Sequence, residues 1–161
     1  MLGRTHLLFG LVLGFFAVKE LALPSTVVVF VLLGSLFPDL DHPSSLISCF
    51  NFVLKDVSKA VKKVIGHRTY LHTLEAGFLI SFLIAPVSSY FGFNATLNAI
   101  GFFTGFAGHL FLDSLTRSGV PLTFSGVNRH KKRGLRLLRT GSIEEHWFSV
   151  VLFLLLVTLF L

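Results

Sequence analysis

Charge is missing from long stretches of this chain, and where ionisable groups return they do so at one end of each stretch. The uncharged runs are 5–18, 21–38, 76–108 and 147–161. A helix that crosses the hydrocarbon core needs roughly 20 residues, with a range of about 17–25. Run 76–108 is long enough for two such helices, and Gly92, Asn94 and Asn98 supply turn chemistry to divide it near 92–98. The runs exceed strand length and lack alternation, which argues against strands. The expectation is an all-α membrane protein, one domain over 1–161, with about five transmembrane helices near 5–20, 22–38, 73–91, 97–115 and 145–161. Charged residues make up 14% of the chain, against roughly 25% in soluble domains. Two other readings stay open. Arg4 ahead of 5–18 resembles a secretory signal, although no small-x-small cleavage site precedes Lys19. A fully buried soluble helical bundle would carry similar apolar runs.

With five spans, odd segments start and even segments end on one side. Seven of the eight acidic residues and all seven histidines fall on that side. His6 opens the first segment, Asp39, Asp41 and His42 close the second, and His67 and His72 open the third. His109 and Asp113 close the fourth, and Glu144, Glu145 and His146 open the fifth. Thirteen of the 14 basic residues lie there too, leaving Lys19 opposite. By the positive-inside rule this side faces the cytoplasm, together with the N-terminus, and the C-terminus faces the exterior. Attraction to anionic lipid headgroups explains the net charge of +6 more simply than nucleic acid does, so no nucleic-acid partner is expected.

Two segments on the charged side do not span. In 46–65, Leu46, Ile47, Phe50, Val53, Leu54, Val57, Val61, Val64 and Ile65 recur at three- and four-residue steps, with Lys55, Asp56, Lys59, Lys62 and Lys63 on other faces. That is the pattern of an interfacial amphipathic helix, or of a loop helix packed on the bundle. Segment 117–144 reads as a loop with a basic run from Arg129 to Arg139. Cys49 is the single cysteine, which excludes an internal disulfide and a thiolate zinc site.

Any metal must therefore be held by imidazole and carboxylate, a donor set that suits zinc, manganese or iron. His109 and Asp113 are four residues apart and so stack on one helix face within reach of one ion; a His–Asp bond tying helices together is the plainer alternative. Pro38 and Pro43 bracket Asp39, Asp41 and His42 and oppose helix, so the turn can aim both carboxylates inward. Asp39 as a helix cap is the alternative there. His67 and His72 are five apart, a rotation of about 140°, so both reach one site only with His67 in the turn before the helix. Arg68 beside them is a natural clamp for a phosphate oxygen. His6 and Glu145 complete the ring, while Glu144 and His42 are less central.

The blocks Thr5-His6-Leu7-Leu8-Phe9-Gly10, Leu36-Phe37-Pro38-Asp39-Leu40-Asp41-His42-Pro43, Gly66-His67-Arg68 with His72-Thr73, Gly108-His109 with Asp113, Gly119-Val120-Pro121-Leu122, and Gly141-Ser142 with Glu145 occur in this order. This ordered set resembles the YdjM family of inner-membrane metal-dependent hydrolases. It is similar, more distantly, to zinc-dependent phospholipases C and P1-type nucleases. The resemblance implies His6, Asp39, His67 or His72, His109, Asp113 and Glu145 as ligands. The soluble enzymes also use an N-terminal amine and further histidines for which the sequence pattern has no match, so one or two ions are expected, zinc first.

The function expected is a membrane-bound, metal-dependent hydrolase that cleaves phosphoesters of lipid-like substrates at the cytoplasmic surface. Asp39 or Asp41 would orient water or act as base, and Arg68 would neutralise charge developing on phosphorus. The alternatives are a metal carrier or sensor and a non-catalytic lipid-binding scaffold. The chain has no HExxH, which disfavours an intramembrane metalloprotease.

Overall fold

Asn94 and Thr73 each begin a helix by accepting a backbone N–H three residues on, from Leu97 at 3.0 Å and from Ala76 at 3.3 Å. Gly92, at φ 75°, makes the reversal between those two helices, a conformation that costs glycine little. The sequence-based turn at 92–98 is thus confined to its first half. Asn98 is buried inside the second helix, where its side-chain amide donates to Ser88 at 2.7 Å and its oxygen accepts from Thr26 at 3.3 Å.

The computed structural model describes residues 1–49, 51–65, 69–128, 132 and 134–161. Helices α1 (Gly3–Lys19), α2 (Thr26–Leu36), α3 (Leu46–Cys49), α4 (Phe52–Ile65), α5 (Leu74–Tyr90), α6 (Ala95–Ser114), α7 (Phe124–Asn128) and α8 (Ile143–Phe160) follow in chain order, with 3-10 turns at Phe37–Asp41 and Tyr70–His72. The chain is all-helical among the described residues. Two helices, α6 and α8, are long and apolar enough to cross a membrane. The second helix is shorter than the 22–38 expected. Pro24 stands before it, and Pro38 lies in the 3-10 turn that ends it. The amphipathic stretch is two helices rather than one, broken at Asn51, whose side chain accepts from Val53 N–H at 3.0 Å.

α6 is the central element. It packs on α2, α5 and α1, and α1 in turn carries α2 and α8. Ala76, Phe102, Phe106 and Leu110 form the buried cluster between α5 and α6, flanked by Phe30 and Phe37. Outward faces are as apolar as the core. Phe78, Phe82 and Leu83 on α5 and Trp147, Phe153 and Leu154 on α8 are more than half exposed, an arrangement water would oppose and a bilayer accepts. The segment after α6 folds back across the end of the bundle where α5 begins and α6 ends. Leu122 C=O accepts Leu74 N–H at 2.9 Å, and Leu138 C=O accepts Arg117 N–H at 3.0 Å.

Candidate metal centre

Three buried imidazoles and three carboxylates meet where α1, α2, α5 and α6 come together. His6 stands in the first turn of α1, Asp39 and Asp41 in the 3-10 turn after α2, His72 in the turn before α5, and His109 and Asp113 one turn apart near the end of α6. The local causes are the ones the sequence carries: Pro38 stops α2 so that the two aspartates turn inward, and the four-residue step aligns His109 with Asp113.

Their distances define two overlapping groups. Ligand atoms of His6, His109 and Asp113 lie within 4.8 Å of one another, and so do those of Asp39, His72 and His109. His6 Nε2 is 3.3 Å from Asp113 Oδ1. His109 Nε2 is 3.9 Å from both Asp113 Oδ2 and Asp39 Oδ1, and His72 Nε2 is 3.9 Å from Asp113 Oδ2. The rings of His6 and His109 stack with centroids 3.7 Å apart.

The groups around these rings decide which nitrogens are available. His109 Nδ1 lies 2.8 Å from the carbonyl of Ser35. A carbonyl only accepts, so Nδ1 holds the proton and Nε2 presents its lone pair to the cluster. That Nε2 is buried and makes no hydrogen bond, as do both ring nitrogens of His6. Leaving such a group unsatisfied costs about 1–3 kcal/mol. Asp41, wholly buried, lies behind His72, its Oδ2 3.3 Å from Nδ1, on the opposite side of the ring from the Nε2 that stands 3.9 Å from Asp113 Oδ2. Buried imidazole nitrogens beside carboxylates form a donor set that could hold a divalent metal ion.

The two aspartates are not equivalent. Asp39 borders a cleft of about 220 Å³ lined also by Met1, Leu2, His42, Ser44, Ser45 and Thr140, and its side chain is partly exposed. Asp41 has no such outlet.

Glu145 sits apart from both ligand groups. Its Oε1 accepts from Leu2 N–H at 2.6 Å and from the Thr5 hydroxyl at 2.9 Å, and its Oε2 accepts from Gly141 N–H at 2.6 Å. It thereby fixes the residues ahead of His6 and the turn ahead of α8. The amine of Met1 contacts Asp113, a feature with no counterpart in the sequence pattern. Ser35 was likewise invisible, because a backbone acceptor leaves no trace in residue type. His67 and Arg68 lie outside the described residues, as do Arg129, His130, Lys131 and Arg133. His42 accepts Ser44 N–H at 3.2 Å beside the cleft, and His146 donates to Ser142 C=O at 2.7 Å on the surface. Glu144 is exposed.

Residues 1–161 match the family model described as YdjM inner membrane protein. The chain is 32% identical over 131 residues to inner membrane protein YdjM of Escherichia coli (strain K12) and to its Shigella flexneri namesake, covering 76% of this chain. The match spans 64% of those two proteins' length. It is 34% identical over 149 residues to the uncharacterized protein YvsG of Bacillus subtilis (strain 168), covering 90% of this chain and 85% of that one. No solved structure gives a significant match.

Proposed function

Because the chain belongs to the YdjM family of inner membrane proteins, we propose that it is a membrane-embedded, metal-dependent hydrolase acting on phosphoesters of lipid-like substrates. In this reading five helices cross the bilayer, the N-terminus and the site face the cytoplasm, and the C-terminus faces the exterior. The observation that carries the reading is the buried cluster of His6, His72, His109 and Asp113, with His109 Nε2 oriented and unpartnered.

His6, His72, His109 and Asp113 would hold one or two ions, zinc first, with Asp39 at the border of the set. When bound, a divalent ion acidifies water and stabilises charge on a phosphoryl oxygen. The protein's own part is then positional. Ser35 and Asp41 hold two imidazoles in the donating tautomer, and Asp39 faces the cleft where a phosphate-sized group enters. Asp39 would take a proton from the attacking water as the water oxygen bonds to phosphorus and the ester P–O bond breaks, and would return that proton to the leaving ester oxygen. Arg68 enters this reading from the sequence alone, as the guanidinium beside His67 whose fork suits phosphoryl oxygens. Clustering at helix ends favours surface chemistry over transport, whose sites lie near the midplane between broken helices.

The test is to analyse the purified protein for bound metal and then assay it on phospholipid and generic phosphodiester substrates. Stoichiometric metal with phosphodiester turnover supports the enzyme. Bound metal without turnover on either substrate class points to a carrier or sensor instead.

A further inference from the structure

The α4 helix has more apolar surface than the protein covers. At 100° per residue, Leu54, Ser58 and Val61 share an arc of about 60°, and these are its half-buried or buried positions. Val53, Val57 and Val64 fall within an arc of about 40° centred roughly 90° away, yet are 51%, 44% and 82% exposed. Lys55, Lys59, Lys62 and Lys63 occupy an arc of about 100° on nearly the opposite side from the valines. Asp56 pairs with Lys59 at 2.8 Å, and the lysine beside it holds its carboxyl below the usual range; Lys55, Lys62 and Lys63 remain as the net positive charge of the face. One side of α4 is covered by α3 and by the turn Phe37–Asp41, the turn that carries Asp39 and Asp41.

We propose that α4 is an anionic-lipid docking helix: its valine stripe enters the acyl boundary, its lysines take headgroup phosphates, and this docking holds the Asp39–Asp41 turn in its metal-binding position. Charge selects the occupant. A stripe of valines alone suits many partners, whereas valines on one side and four lysines on the other suit a surface that is apolar below and anionic above. The helix lies in the interface while the bundle spans, and it touches the site through the very turn whose carboxylates face the cleft and His72. The inference rests on the membrane-surface reading above.

The test uses the full chain with Cys49→Ser and Val57→Cys, labelled with an environment-sensitive fluorophore. The protein is reconstituted into phosphatidylcholine vesicles with or without phosphatidylglycerol and nitroxide-labelled lipid. A blue-shifted emission quenched by the nitroxide, stronger with phosphatidylglycerol, is expected. Metal titration on the same vesicles should show affinity roughly tenfold tighter with the anionic lipid, the scale of losing a group that orients a ligand. Replacing all four lysines by Gln, in protein of unchanged helicity, should remove both differences. A probe that remains in water in both vesicles, or metal affinity indifferent to lipid charge, overturns the proposal. Probe depth requires neither metal nor turnover, so its failure leaves the hydrolase reading standing. Loss of metal binding in every lipid sinks that reading without touching the depth result.

Discussion

His109 Nδ1 and the Ser35 carbonyl lie 2.8 Å apart across the contact between α6 and α2, and this single bond selects the tautomer of the most central imidazole. His109→Ala and Asp113→Ala should each lower the metal content of purified protein, and Lys19→Ala, at the far end of α1, should not. Unchanged stoichiometry in both site variants rejects the ligand assignment.

Asp41 orients His72 from behind, whereas Asp39 faces the cleft. Asp41→Asn should weaken metal affinity by roughly 10–100-fold while saturable binding persists. Asp39→Asn, measured at saturating metal, should lose about 10²–10⁴-fold in phosphodiester turnover. Metal titrations and rates on the same preparations separate the two roles, and identical phenotypes would show that they do not divide in this way.

Glu145 receives two backbone N–H groups and a hydroxyl. A Gln in its place must turn an amide NH2 toward a donor, so Glu145→Gln should lower stability by about 1–3 kcal/mol. Metal stoichiometry should remain. Melting temperature and metal content are the readouts, and metal loss equal to that of Asp113→Ala would return Glu145 to the ligand set.

Removing the metal should itself destabilise the bundle, because the ion binds only the assembled site. At free metal about 100-fold above Kd the stabilisation is about 2.7 kcal/mol. Chelation should lower the melting temperature of the parent protein and leave that of His109→Ala nearly unchanged; an equal shift in both would place the metal elsewhere.

The basic asymmetry predicts a cytoplasmic face for the charged end. With Cys49 replaced by Ser, a cysteine at Leu135 should react with an impermeant reagent only after lysis, and one at Asn94 should react in intact cells. The reverse pattern would put the ligand-bearing end outside.

Much of the site was legible because ionisable groups are costly in apolar surroundings and so stand out at the ends of apolar runs. His6, Asp39, His72, His109 and Asp113 were singled out on that ground, and the structure brings their ligand atoms together. Roles were harder. Glu145 has the same composition as a ligand or as an acceptor for N–H groups, and only the positions of Leu2 and Gly141 distinguish them. Helix identity followed from run length, but the extent of α2 depended on how Pro38 was absorbed, here as a 3-10 turn. The break at Asn51 was hidden because the apolar period continues through it on both sides. The short α7, inside what read as loop, has too few residues for a period to register.

Where α2 crosses α6, a methyl group on Gly34 would run into the Phe102 carbonyl, and one on Gly105 into the Val31 carbonyl. Main chain therefore meets main chain, as small residues allow between membrane helices, with no rotamers to absorb an error. Gly34 precedes Asp39 by five residues and Gly105 precedes His109 by four, so the crossing lies only about 6–8 Å along the helices from the ligands. The two helices resemble callipers riveted close to their jaws. A single added carbon at the rivet would reset the gap between Asp39 and His109.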